Sequence, residues 1–247
     1  MDIKVTNRAT PADAGKLIER QMGPCDRLLD FLTKRPRAKH TSDGTRRPVL
    51  TVSGPVGSGR GRLSLALCKE FGYELFGREI LDAVAEDLRC QSKMLKSLDE
   101  SAQSNIRLMF ETWLRGRIID NQEYIRALFR VMVSLAEKGG TVILGRGGAH
   151  ILGPRAALRI RVEAPVPMRV RRIMESQNLS EADARRYVET KDREQKKFYR
   201  QFSHREPSDP LAYDLTINME RLDPEKAVGV VVAALAARGI EIHKPHG

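Results

Sequence analysis

The segment Val49-Leu50-Thr51-Val52-Ser53-Gly54-Pro55-Val56-Gly57-Ser58-Gly59-Arg60-Gly61-Arg62-Leu63 constrains this chain more than any other. A β-branched apolar run passes into a glycine-dense turn and then into a helical pattern, the order in which a phosphate-binding loop is built. Glycines let consecutive backbone N–H groups turn inward around an anion, and the positive end of the following helix adds to the field. Against the pattern G-x-x-x-x-G-K-[ST], Gly54 and Gly59 match, whereas Arg60 stands at the lysine position and Gly61 at that of the metal-binding hydroxyl. Gly54, Gly57, Ser58, Gly59, Arg60, Gly61 and Arg62 are therefore the candidate phosphate-binding residues. Arg60 brings its charge in a planar fork rather than a compact ammonium. Because Gly61 has no hydroxyl, a divalent metal here needs Ser58, Ser53 or water.

From Pro48 onward, short β-branched runs alternate with amphipathic helical stripes, the pattern of a parallel sheet covered on both faces. Strands are predicted at Val49 to Ser53, Tyr73 to Phe76, Thr141 to Leu144, Leu158 to Val162 and Leu215 to Asn218. Helical spacing joins Leu63, Leu67 and Phe71; Leu81, Val84, Ala85 and Leu88; Ile106, Met109, Phe110, Trp113 and Leu114; and Ile125, Leu128, Phe129, Met132, Val133 and Ala136. Asp223-Pro224-Glu225 opens a last helix with a cap, a proline at the first helical position and an early acid. The fold class is thus α/β, a domain over 48–247 with a five-stranded parallel sheet flanked by helices. The exit of the third strand, Gly145-Arg146-Gly147-Gly148, puts an arginine where open α/β sheets bind ligands, facing the first loop.

Ser180-Glu181-Ala182-Asp183 is a capping box, and the helix it opens carries Arg185, Arg186, Lys191, Asp192, Arg193, Lys196, Lys197 and Arg200. Such a helix is either a solvated face or a lid that brings cations over a transferring phosphate. The first 47 residues read as an appendage: two short helical periods, around Thr10-Pro11-Ala12-Asp13 and at Cys25, Leu28, Leu29 and Leu32, then a polar, basic linker from Lys34 to Arg47.

Composition narrows the function. Lys and Arg number 43 against 32 acids, a formal net charge of +11, which favours a polyanionic partner. Aromatic residues are 5% of the chain and do not alternate with basic ones, so base-stacking platforms are not indicated; charge alone does not decide between nucleotide phosphates and nucleic acid, and a nucleic-acid binder is the weakest of the readings. Apolar runs such as Gly229 to Ala237 fall far short of the roughly 20 residues a bilayer span needs. Met1 to Arg20 is charged throughout and has no apolar signal core, so a cytoplasmic location is expected. Three cysteines, Cys25, Cys68 and Cys90, lack metal or disulfide spacing and read as buried free thiols.

Several pieces in order resemble the cytidylate kinase-like family, a branch of the P-loop nucleoside monophosphate kinases, over about residues 49 to 235. They are Gly57-Ser58-Gly59 with Arg60 and Arg62, Gly77-Arg78-Glu79-Ile80-Leu81, Gly145-Arg146-Gly147, Asp192-Arg193 with Phe198-Tyr199-Arg200, and Asp209-Pro210 followed by Tyr213-Asp214-Leu215-Thr216-Ile217-Asn218. The resemblance implies a helical monophosphate-binding insertion around Glu79 to Asp120 and a lid around Ser180 to Arg205. It implies transfer of the γ-phosphoryl of ATP to CMP or dCMP with Mg2+. By the same resemblance, Gly57 to Arg60 hold the ATP phosphates, Arg78, Arg146 and Gly147 grip the acceptor, and Arg60, Arg146 and Arg193 are the catalytic cations, with Ser58 as the metal contact. The chain departs from the family at Arg60-Gly61-Arg62, at Gly77 where an Asp is usual, and at Gln195 where the lid commonly has Arg. These departures also suit a nucleotide-binding regulator of low turnover, with the N-terminal extension contacting a protein partner or a second copy.

Overall fold

The computed structural model describes residues 47–78, 81, 82, 103, 104, 106, 108, 122–200 and 206–241. The N-terminal extension at 1–46, most of the insertion predicted at Glu79 to Asp120, the end of the lid at 201–205, and Cys25 and Cys90 lie outside these residues.

Five strands form one parallel sheet: β1 (Val49–Ser53), β2 (Glu74–Phe76), β3 (Thr141–Leu144), β4 (Leu158–Glu163) and β5 (Leu215–Asn218), in the order β2-β3-β1-β4-β5. The strand expected from Tyr73 begins one residue later, because the Tyr73 N–H closes back on the Cys68 carbonyl and not on a strand. The β4 ladder runs one residue further than expected, Glu163 pairing with Asn218. Central β1 is buried at every position, since it pairs with β3 on one side and β4 on the other.

Helices cover both faces. α1 (Arg60–Phe71) follows β1, and α2 (Gln122–Lys138) precedes β3. The short α3 (Gly148–Leu152) follows β3, then come α4 (Val166–Gln177), α5 (Glu181–Arg200) and α6 (Pro224–Ala237). Side-chain alternation along the strands divides the core. Leu50, Val52, Val142 and Ile160 pack with Leu63, Leu67 and Phe71 of α1 and Val231 and Leu235 of α6. Val49, Phe76 and Ile143 turn to the other face, against Leu128, Phe129 and Met132 of α2. The predicted caps form: the Asp223 carboxylate accepts from the Lys226 N–H at 2.8 Å, and the Ser180 hydroxyl accepts from the Asp183 N–H at 3.2 Å. Cys68 is a half-buried free thiol, pushed up to about 12 by burial first and the charge of Glu74 second.

Asp214, one of the residues behind the family resemblance, proves to be a clamp at the edge of the sheet. It accepts from the Arg159 N–H at 2.9 Å, from Arg159 Nη2 at 2.7 Å and from Arg238 Nη1 at 3.3 Å, joining β4 to the end of α6. Burial opposes its charge, but the bonds and fields of these arginines outweigh it and hold the carboxyl below its usual 3.8. Its stabilisation is therefore complete above pH 3.8 and is lost as the pH falls through the lowered folded value. Asp214→Asn is expected to lower stability by about 1 kcal/mol at neutral pH, allowing for solvent screening. In urea unfolding the gap between variant and parent should close in strong acid.

Candidate active site

The loop between β1 and α1 runs from Gly54 to Gly59. Gly57 (φ 77) and Gly59 (φ 98) take left-handed backbone, Gly59 being the N-cap of α1. A Cβ on Gly57 would stand 2.6 Å from the Arg169 carbonyl oxygen, so only glycine lets α4 lie against the loop. The first turn of α1 has neither a side-chain cap nor an acidic residue, which leaves its N–H groups and positive end to a ligand.

Side chains hold the loop carbonyls. Arg60 Nη1 donates to the Gly54 carbonyl at 2.6 Å, and Gln195 Nε2 of α5 reaches the same oxygen at 3.1 Å. Arg169 Nε donates to Val56 at 2.7 Å. Arg172 Nη1 serves both Gly57 at 3.1 Å and Ser58 at 2.9 Å, and its Nη2 reaches Met219 at 2.9 Å. The Ser58 N–H closes on the Pro55 carbonyl at 3.3 Å. Carbonyls engaged in this way do not compete for the loop N–H groups that an anion nest needs. Ser58 is fully buried and its hydroxyl has no hydrogen-bond partner. Gly61 has nothing within 4 Å of where its Cβ would stand.

A second cluster lies at the end of β3. The Gly145 N–H bonds the Val52 carbonyl, and Arg60 Nη1 lies 3.9 Å from the position of a Gly145 Cβ, so the two loops adjoin as the sequence led us to expect. Arg146 adopts φ 47, uncommon without glycine. Its guanidinium binds Asp82 with both Nε and Nη2, and its face stacks on Phe198 of α5 at 4.7 Å. Arg78 Nε is 3.5 Å from the same Asp82 carboxylate, which also accepts from Tyr124 at 2.7 Å. Gly147 is the buried N-cap of α3.

Helix α5 is anchored at both its middle and its end. Asp192 pairs with Arg169 Nη2 at 2.6 Å, so the arginine that holds the Val56 carbonyl also holds α5. Tyr199 is buried with its ring 4.9 Å from that of His150.

The structure thus brings together Gly54, Gly57, Ser58, Gly59, Arg60 and Gly61 on one loop, with Arg78, Arg146 and Gly147 beside it. Arg62 is exposed on the outer side of α1, within the field of Arg172 and Asp223. Arg193 is exposed and donates to Thr190 of its own helix at 3.0 Å, while Gln195 is the α5 residue that touches the loop. Sequence reading missed Asp82, Arg169 and Arg172. Two of them left a signal: Asp82 is four residues after Arg78, the spacing of a helical ion pair, and Arg169 shares the buried face of α4 with Val170 and Ile173.

Known proteins give this site a setting. A cytidylate kinase of Natronomonas pharaonis is 27% identical over 191 residues, covering 76% of this chain and 90% of that one. A cytidylate kinase of Halobacterium salinarum is 25% identical over 190 residues, covering 76% of this chain and 90% of that one. A solved structure of an uncharacterized protein from Eubacterium ventriosum shares the fold with a TM-score of 0.61 at 19% identity, covering 78% of this chain and all of that one. The sequence pattern of the cytidylate kinase-like family matches residues 49–221, which take in the loop, both arginine clusters, α5 and all five strands, and the chain belongs to that family.

Proposed function

We propose that this protein transfers the γ-phosphoryl group of ATP to a nucleoside monophosphate, CMP or dCMP, giving the diphosphate. The observation that carries the reading is the phosphate loop itself: the carbonyls of Val56, Gly57 and Ser58 are held by Arg169 and Arg172 of α4, beside a helix start with no side-chain cap. The cytidylate kinases named above support the class of acceptor.

The residues fit ATP and Mg2+. Backbone N–H groups of Gly57, Gly59 and Arg60 would cradle the β- and γ-phosphates, and the unpartnered buried Ser58 hydroxyl would be an oxygen for the metal, directly or through water. Mg2+ held there would supply positive charge that offsets that of the transferring phosphoryl group. Arg60 exchanges the Gly54 carbonyl for a phosphoryl oxygen, Arg78 and Arg146 hold the acceptor phosphate in line, and Arg193 comes in as the lid moves. Catalysis is then mainly positioning and charge neutralisation, and no covalent nucleophile is required.

A bisubstrate compound joining cytidine to adenosine through a phosphate chain tests this reading. It should bind far more tightly than ATP or CMP alone, and Arg146→Ala should remove most of that advantage. Binding no tighter than its halves would contradict it. Gly61 offers a further check. Its open surroundings accept a hydroxyl without a clash, so Gly61→Ser is expected to raise Mg2+-dependent turnover several-fold, read as a lower Mg2+ requirement in the kinase assay.

The second reading, a nucleotide-binding regulator, is favoured by Gln195, which brings the lid onto the loop through a neutral amide where a cation would stabilise transferring charge. It predicts ATP binding with almost no diphosphate formed.

A further inference from the structure

The acceptor arginines are engaged by the protein's own groups. Arg146 presents Asp82 with its Nε and Nη2 donors together, the same two-pronged edge with which guanidinium groups take phosphate. Its face is covered by Phe198. Arg78, half-exposed at the mouth, leans on the same carboxylate, and Tyr124 steadies it from α2. Burial disfavours the Asp82 charge, but the bonds from Arg146 and Tyr124 and the fields of both arginines prevail, so the carboxyl is ionised at neutral pH. Glu194 on the lid lies in the field of the same two arginines. Two cations that would otherwise repel each other are thus held by an anion the protein supplies itself.

We propose that Asp82 is the internal counter-ion of the acceptor clamp, occupying the donors of Arg146 and Arg78 that an acceptor phosphate takes over, so that it sets which anions can enter. The inference rests on the reading of Arg78 and Arg146 as the acceptor clamp. A phosphate dianion carries more charge than the carboxylate and displaces it. A singly charged carboxylate ligand gains nothing by the exchange and is turned away. Asp82 is then a specificity-determining residue, weakening every acceptor somewhat and weaker anions most.

The test is the affinity of CMP for the full chain without ATP, measured by titration calorimetry on the parent, Asp82→Asn and Arg146→Ala. Asp82→Asn keeps the shape and the Tyr124 contact but removes the competing charge. CMP should bind it roughly tenfold more tightly, the scale of one charge-assisted hydrogen bond, and Arg146→Ala should lose CMP binding. If Asp82→Asn binds CMP no better or worse while Arg146→Ala still loses it, Asp82 merely orients the arginine; the proposal fails and the clamp stands. If Arg146→Ala binds CMP as well as the parent, the clamp reading itself fails and takes the proposal with it. Should Asp82→Asn not fold, Asp82→Ser, which removes the same charge with a smaller side chain, decides in the same direction; unchanged or weaker CMP binding there overturns the proposal.

Discussion

Replacing Arg60 with alanine is expected to lower turnover about 100- to 1,000-fold, the cost of deleting one preorganised group that stabilises transition-state charge. The argument is positional. Arg60 is the first residue of α1, and its guanidinium lies over the loop on the Gly54 carbonyl, within reach of the second loop at Gly145. No second arginine substitutes: Arg172 is behind the loop on its carbonyls, and Arg62 is on the outer surface. Stability should change little, because Gln195 still satisfies the Gly54 oxygen. Arg60→Lys should recover part of the rate, since an ammonium restores the charge without the fork. Thermal unfolding run beside the kinetics separates the two effects, and a large loss of melting temperature in Arg60→Ala would contradict the assignment to chemistry.

Gly57→Ala is expected to be the most damaging single methyl in the loop. A side chain at φ 77 is strained, and its Cβ would meet backbone atoms of Arg169, the carbonyl oxygen at 2.6 Å and Cα at 2.9 Å. Backbone cannot rotate away, so α4 and the loop must separate, and the hydrogen bonds of Arg169 to Val56 and Arg172 to Gly57 and Ser58 stretch with them. Strain and displacement together should cost about 2–4 kcal/mol, read as a lower urea midpoint, with ATP binding weakened beyond the stability loss. Gly61→Ala is the control. It adds the same methyl four residues on, into open space, and should be neutral or stabilise the helix by roughly 0.5–1 kcal/mol. Equal effects at the two glycines would remove the basis for a loop shaped by α4.

The inner strands were legible because burial on both faces demands continuous β-branched runs, and Val49 to Ser53 and Thr141 to Leu144 sit where those runs are. The phosphate loop was legible for a related reason, since left-handed backbone at Gly57 and Gly59 leaves a composition that few other structures require. What chain order hid are contacts across long separations. Arg169 meets Val56 across 113 residues and Gln195 meets Gly54 across 141, and no spacing rule links such pairs. Gln195 drew notice only as a missing arginine, whereas in the fold its amide shares a carbonyl with Arg60. Asp214 shows the opposite case: it stands out in the sequence for its likeness to a kinase family, yet its work is to fasten β4 to α6.

Phosphoryl transfer is the property to measure. The purified chain should be incubated with Mg-ATP and, in turn, CMP, dCMP, UMP and AMP, the nucleotides separated by ion-exchange chromatography, and Arg60→Ala run alongside. The account predicts a diphosphate from CMP or dCMP, formed in step with ADP and nearly absent in the variant. Saturable ATP binding with no diphosphate from any acceptor would contradict it.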